Sequence, residues 1–408
     1  VAAVQDAIPR LDPGLEPPLI HGAAALAHRA FADPGRDDQP FICRTVDGIG
    51  DAAAVMLDLS VAHRLHFRFG PARDMQDQAL ELAQLFRVRG GPAVGGAPLR
   101  ALALMAPGDL MVNTPLDFIT THLDVRLDLL FVRPGQPLPP SVPDHDVAFF
   151  AVSESDQAML ARLASLFGAW PRPALNDPAR IARLTRDGVA DGLRGLPGIV
   201  TPRIVRRPRD ELLAGGSAAG GFPVLLRPVG SHAGHDLQLV DGPDALANYL
   251  TAVTGEDFFV AGFIDYRGTD GLFRKYRVAF IDGAPFLCHM AASEHWMVHY
   301  LNAGMAESAA KRAMEAAAMA EFDGGFAVRH RAALAALDRW MGLDYHQVDC
   351  AELADGRLLV FEADVAAIVH LMDPPDLFPY KPAQMRRVMA AFEAMLRRRA
   401  RPARSDAA

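Results

Sequence analysis

Asp349, Glu362 and Asp364 stand at a spacing that a β-hairpin folds into one patch. Two β-like runs, Val348–Ala354 and Arg357–Asp364, flank an Asp355-Gly356 pair, and Asp-Gly between such runs marks a two-residue hairpin turn. That turn sets the register. With Ala354 facing Arg357, Asp349 falls directly opposite Glu362, their Cβ atoms about 5 Å apart. Asp364 follows Glu362 by two residues and so shares its face. Three carboxylates this close repel one another unless a hard cation lies among them, and oxygen donors suit Mg2+ or Mn2+. A solvated sheet face would tolerate the same acids, but Leu358, Leu359, Val360 and Phe361 give the strand a buried character.

Cations that could hold an anion beside such a metal are nearly all arginines, since Lys275, Lys311 and Lys381 are the only lysines among 41 Lys+Arg. Arg227 lies inside the apolar run Phe222–Val229, where a cation needs an anionic partner. The run leads into Gly230-Ser231-His232-Ala233-Gly234-His235 and then a second apolar run, Leu237–Val240. Strand, glycine loop and returning strand make a flap whose backbone N–H groups can cover phosphates. The loop has neither Walker nor Rossmann spacing and also suits an ordinary hairpin. Arg186 is expected at the end of a helix begun by Asp177-Pro178, a capping side chain followed by proline. There it reaches a phosphate or complements the helix C-terminus. Lys275 and Arg277 share one face of a strand that enters an Asp282-Gly283 hairpin. Two adjacent cations suit a phosphoryl group or a carboxylate, or salt bridges to nearby acids.

The elements that must position these groups change in texture along the chain. Residues 1–95 are Ala-rich with helical periodicity, as in Met75–Phe86, and read as a mostly helical region that is structural or docks a partner. Residues 96–172 carry short buried runs, Ala101–Met105, Leu127–Val132 and Val147–Val152. A helix follows, capped by Ser153 or Ser155 and presenting Met159, Leu160, Leu163, Leu166 and Phe167. Alternating strand and helix imply a small α/β domain with a largely parallel sheet. Asn113-Thr114-Pro115 reads as a turn or a binding loop. From Phe222 the order is β, helix, β, with helices near 305–321 and 325–341 between the two Asp-Gly hairpins. The basic stretch 397–408 reads as a frayed, disordered tail.

Composition removes several classes. A length of 408 residues allows about two or three domains. A net charge of −8 argues against a general nucleic-acid binder. No apolar run approaches the ~20 residues that cross a bilayer, and the start lacks the order of a secretory signal. Cys43, Cys288 and Cys350 are too few and too far apart for a disulfide scaffold or a Cys-type zinc site. The expectation is a soluble cytoplasmic protein with no membrane and no nucleic-acid partner.

The order of parts is specific: a small α/β domain, a helix with a cation, a strand with a cation before a glycine flap, an apolar strand breaking at Ala261-Gly262, then D-G-x-x-R-K-x-R and D-x12-E-x-D. This resembles the ATP-grasp superfamily, in particular the ligases of the glutathione synthetase and ribosomal-protein glutamate ligase type. The resemblance covers about Pro173–Leu396. It implies an α/β and α+β architecture with two α+β subdomains, 173–262 and 263–396, holding ATP between them, preceded by the α/β domain and the helical N-terminal region. It implies Asp349, Glu362 and Asp364 as ligands of two Mg2+ ions. The family's usual Glu-x-Asn is Glu362-Ala363-Asp364 here. Arg186 and Arg227 stand where the family has phosphate-contacting lysines. Gly230, Ser231, His232, Ala233 and Gly234 form the flap, backbone at Val260 and Ala261 meets adenine, and Asp265 meets ribose. Arg277, with Lys275 beside it, resembles the basic residue at the γ-phosphate.

The chemistry so implied is activation of a small-molecule carboxylate by ATP and capture by an amine, forming an amide on an amino-acid-like or small peptide substrate. His295, His299 and His370 are candidates for steering the substrate; packing roles for the residues around them remain open. A phosphotransferase on the same fold and an ATP-binding regulatory or scaffolding pseudo-enzyme are the other readings. The resemblance also allows a homo-oligomer.

Overall fold

A computed structural model describes residues 6–33, 35, 38–43, 49–90, 97–214, 221–231 and 234–400. They divide into two compact units. The first holds the chain up to Ala182, Leu343–Tyr345 and the stretch from Val365 onward; the second holds Arg183–Gly342 and His346–Asp364.

The first unit contains β1 (Arg10–Asp12), β2 (Leu19–Ile20), β3 (Leu85–Val88), β4 (Leu99–Met105), β5 (Val125–Phe131), β6 (Ser141–Pro143), β7 (Val147–Phe150) and β8 (Ala174–Leu175). Six of them form a sheet in the order β2-β3-β5-β4-β7-β8, and β1 pairs with β6. The pairs β4–β5, β4–β7 and β7–β8 are parallel. All four residues of β7 are buried, as a parallel strand covered on both faces requires.

Several expectations shift here. The helix read over Met75–Phe86 is Phe69–Leu82, and Leu85 and Phe86 belong to β3, where Phe86 pairs with Leu129 inside the sheet. One sheet therefore holds strands from both sides of residue 95. The helix Gln157–Phe167 is capped by Asp156, whose carboxylate accepts from Met159 N–H, while the hydroxyls of Ser153 and Ser155 bond each other. Asn113 bonds both backbone groups of Ala106 and is buried there, a structural turn. Helix Lys381–Ala400 extends past the expected start of the tail at 397. It joins the first unit, with Phe392 against Phe149 and Tyr345. Residues 401–408 lie outside the described residues.

The second unit contains β9 (Ile199–Val200), β10 (Ile204–Pro208), β11 (Val224–Pro228), β12 (Gln238–Val240), β13 (Asp257–Gly262), β14 (Phe273–Ile281), β15 (Ala284–Ser293), β16 (Tyr345–Glu352, of which Tyr345 itself falls in the first unit) and β17 (Leu358–Asp364). Two sheets result: an antiparallel one, β10-β13-β11-β12, and a five-stranded one, β15-β14-β16-β17-β9. Helix Pro243–Ala252 covers the first, packing Leu246, Tyr249 and Leu250 on Val224, Leu226, Phe258 and Val260. Arg209 satisfies carbonyls past that helix, donating from Nε to Gly255 O at 2.7 Å and from Nη2 to Val253 O at 2.6 Å. Helix Arg186–Leu193 lies against helix Arg331–Met341, where Gly192 leaves room for the Trp340 ring. The fold class is the expected one: an α/β unit and a second unit of two sheets with helices. No helix among the described residues is long and apolar enough to cross a membrane.

Candidate functional site

Register is what brings acids together on the β16–β17 hairpin, and it is reached by a different route from the expected one. The turn is not two residues long. Gly356 N–H donates to Leu353 O and Leu353 N–H to Arg357 O, each at 2.9 Å, with Gly356 at φ 80°. This is a three-residue loop with a glycine in the left-handed region, and it offsets the pairing by one residue, to Glu352 with Leu358 and Cys350 with Val360. A bulge between Asp349 and Cys350 then inserts Phe361 and restores the count, so that Asp349 pairs with Glu362 and Gln347 with Asp364. Two one-residue departures cancel. The other hairpin turns as expected: Ile281 pairs with Ala284 across Asp282 and Gly283, at φ 51° and 79°.

Asp349 is 3% exposed and both its oxygens are engaged. Arg277 donates from Nε to Oδ1 at 2.8 Å and from Nη2 to Oδ2 at 3.0 Å, and Lys275 Nζ donates to Oδ2 at 2.8 Å. Burial pushes the Asp349 carboxyl up, but Arg277 and Lys275 outweigh it and hold the group far below the usual range. Burial likewise lowers Arg277, and Asp349 reverses this, with Asp364 and Glu362 adding to the same effect. Lys275 and Arg277 share a face as expected and, of the alternatives the sequence left open, make the salt bridge to a nearby acid, both meeting Asp349.

Arg186 is not at the end of a helix. Asp177-Pro178 starts only Pro178–Ile181, and Arg186 is the first residue of the next helix, capped by Thr185. A cation there opposes the helix dipole, so the explanation by helix charge falls. Its partner is Glu362, at 2.8 Å from Nη1 to Oε2. Burial raises Glu362, and Arg186 leads the interactions that bring it below its ordinary value.

Arg227 is the cation left over. It is 7% exposed, and among the described residues no carboxylate lies within ion-pair distance of it. It donates from Nε to Ser231 Oγ at 3.0 Å and from Nη2 to Ser231 O. Burial first, then the neighbouring Arg186, push it down to about 10. Gly230 and Gly234, at φ 84° and 74°, bend the flap, and a Cβ on Gly234 would lie 3.7 Å from Met297 Sδ. His232 and Ala233 lie outside the described residues.

Other sequence candidates separate. Val260 and Ala261 lie inside β13 with partner strands on both sides, Val205 and Leu226 for the first and Ile204 and Leu225 for the second. Asp265 is exposed and folds back on Arg267 N–H at 3.0 Å. His299 is within electrostatic reach of Lys275, Arg277, Asp349 and Glu362, and burial followed by the two cations lowers it. His295 is exposed, its N–H on Ser293 Oγ. His370 belongs to the first unit, where Nδ1 accepts from Met372 N–H at 3.1 Å.

Residues that spacing did not reveal hold the segment carrying His299. Glu315, fully buried, accepts from Tyr300 Oη at 2.8 Å and from Met290 N–H at 3.1 Å. Lys311, one turn earlier, donates to Glu294 at 2.7 Å and to Ala303 O at 2.8 Å. His289 pairs with Arg277 across β14 and β15 and bears on Asp349. A lysine among so few, four residues before a glutamate in an Ala-rich helix, was the available signal.

No protein-family model matches the chain, and no curated protein matches it. Solved structures do. A RimK-domain ATP-grasp protein of Sphaerobacter thermophilus is similar at 18% identity and TM-score 0.42, over 72% of this chain and 99% of that one. The VanG D-Ala:D-Ser ligase of Enterococcus faecalis is similar at 11% identity and TM-score 0.44, over 74% and 100%. D-alanine–D-alanine ligase of Bacillus anthracis, complexed with ATP, is similar at 14% identity and TM-score 0.39, over 72% and 98%.

Among the described residues no three His, Cys, Asp or Glu side chains are gathered as a metal site. Asp349 and Glu362 face cations instead. Strand register alone puts the three carboxylates on one hairpin face, so metal binding by them belongs to the proposal below.

Proposed function

We propose that this chain is an ATP-dependent carboxylate–amine ligase that forms an amide through an acyl phosphate on an amino-acid-like or small peptide substrate. The observation that carries the reading is Arg227: a buried arginine, without an acid within ion-pair distance among the described residues and close to a second arginine. Such a group calls for a polyanion, and the flap beginning at Gly230 lies at the end of the same strand. Asp349, Glu362 and Asp364 would hold Mg2+ or Mn2+, which when bound offsets charge on the triphosphate.

The work of the chain's own residues follows. Arg186 and Arg227 bind phosphate oxygens, the latter oriented by Ser231. Arg277 and Lys275 stabilise charge that gathers on the γ-phosphoryl group as it passes from the ADP oxygen to a carboxylate oxygen. The flap, reaching Met297, excludes water from the acyl phosphate. An amine then attacks the carbonyl carbon, inorganic phosphate leaves and the amine gives up a proton. His299 is the histidine best disposed to meet that substrate, and His295, His370 and Asp265 have less support.

The test is stoichiometric. ADP and phosphate release should require a carboxylate and an amine together, one ADP per amide. ADP formed with a single acceptor and a phosphorylated product would indicate a phosphotransferase instead; nucleotide binding without turnover in any substrate pool would indicate a regulatory protein.

A further inference from the structure

We propose that Glu315 is a positioning residue: through the Tyr300 hydroxyl it holds segment 294–303 in place before substrate arrives, so that His299 is presented already ordered. The inference rests on the ligase reading just given and concerns the carboxylate and amine, not the nucleotide. Helix Ala309–Glu321 is Ala-rich and packs on β15. An apolar inner face would serve packing alone, since burying an ionisable side chain costs stability. This helix instead turns Lys311 and Glu315, one turn apart, into the interior. Both reach the segment that follows β15. Lys311 Nζ ties its two ends, donating to Glu294 Oε2 at 2.7 Å and to Ala303 O at 2.8 Å. Glu315 takes the middle. Its Oε2 accepts from Tyr300 Oη at 2.8 Å, while Oε1 accepts from Met290 N–H at 3.1 Å and anchors the carboxylate on β15.

Two further bonds brace the segment: the Tyr266 hydroxyl donates to Trp296 O, and Asn302 Oδ1 accepts from His299 N–H at 3.1 Å. Tyr300 also fixes where the segment sits. Its ring centroid lies 4.8 Å from that of His289, whose backbone pairs with Arg277 across β14 and β15. His299, the preceding residue, is thereby kept within electrostatic reach of Lys275 and Arg277. Ordering a loop at the moment of binding costs affinity, and small misplacements of a substrate-facing group cost rate steeply. A segment tied at both ends and in the middle meets that cost during folding. Arg186 and Arg227 are held by other partners, Glu362 and Ser231, so contacts to phosphate should survive when the segment loosens.

Initial rates of amide formation by the full chain, followed by product mass spectrometry, separate the two dependences. ATP is varied over a fixed extract of small carboxylates and amines, and the extract is then varied at saturating ATP. In Glu315→Leu the rate at a sub-saturating amount of extract should fall roughly 10- to 100-fold, with KM for ATP within about 3-fold of wild type. Glu315→Gln should recover most of the loss, since its Oε1 can still accept from Met290 N–H and its Nε2 can donate to Tyr300 Oη. Tyr300→Phe should reproduce the defect, and the double variant should be no worse than Glu315→Leu alone. Amide exchange in Glu315→Leu should quicken in 294–303 and stay unchanged in β16. If Glu315→Leu fails to fold by circular dichroism, Tyr300→Phe carries the same kinetic and exchange comparison. Additive losses, equal losses in the ATP and extract dependences, unchanged exchange in 294–303, or wild-type turnover in Tyr300→Phe overturns the inference and leaves the ligase reading standing. Absence of any condensation product from the wild type overturns the ligase reading, and the role of Glu315 with it.

Discussion

A buried cation without a countercharge costs stability, so Arg227 predicts opposite effects on stability and on binding. Arg227→Met removes a desolvated guanidinium that also repels Arg186. The melting temperature should hold or rise, while affinity for Mg-ATP falls roughly 10-fold, the scale of a lost charge-assisted phosphate contact. A large drop in melting temperature with unchanged binding would make Arg227 a structural residue. At this scale the sequence exposed residue types well: an arginine in an apolar strand, two cations at a period of two, three acids across a turn. It exposed partners poorly. Arg186 meets Glu362 because a helix packs against β17, and spacing 176 residues apart carries no trace of that. Val260 and Ala261 were legible as a strand, but not as a strand flanked on both sides.

Helices and hairpins hold these groups in place. A Cβ on Gly192 would lie 2.1 Å from Trp340 Cζ2, so Gly192→Ala must displace the helix that starts at Arg186. We expect a loss of roughly 1–3 kcal/mol in urea unfolding, relieved when Trp340→Leu is added. In the first unit, helix Ala23–Ala32 begins after Gly22, which offers no capping side chain. Asp58 accepts from His21 and Gly22 N–H at 2.8 and 3.1 Å, and Asp117 from Ala24 N–H at 2.8 Å. Burial, against those bonds, raises Asp58 to about 6 from 3.8. Because the folded value is above the unfolded one, the folded state takes up a proton in this window. Its contribution, about 3 kcal/mol, is fully present below pH 3.8, fades as pH rises and is lost above about 6. Comparing wild type with Asp58→Asn by denaturant titration between pH 4 and pH 7 isolates it: the difference should favour wild type progressively as pH falls. A pH-independent difference would contradict the assignment. The cap was illegible because its acids lie 36 and 93 residues from the groups they serve. The acid hairpin was legible because its register is local, even though loop and bulge each departed by one residue.

Across the whole molecule, sequence blocks and compact units differ. Lys381–Ala400 was read across the block 263–396 and the tail, yet it belongs to the first unit with the block 1–95; packing faces distant in sequence decide membership. The charged groups from Arg186 to Asp364 lie in the second unit, so Mg-ATP should slow amide exchange mainly in β11, β14, β16 and β17, with β4 and β7 changing least. Uniform protection would argue against a site of this composition. The account's central claim is amide synthesis driven by ATP, and product mass spectrometry tests it most directly. With an extract of small carboxylates and amines, ATP and Mg2+, wild type should yield a product equal to two partners less one water, with ADP in equal amount, and Glu362→Gln should yield none. ADP accompanied only by a phosphorylated compound, or the same condensation product from the variant, would contradict it.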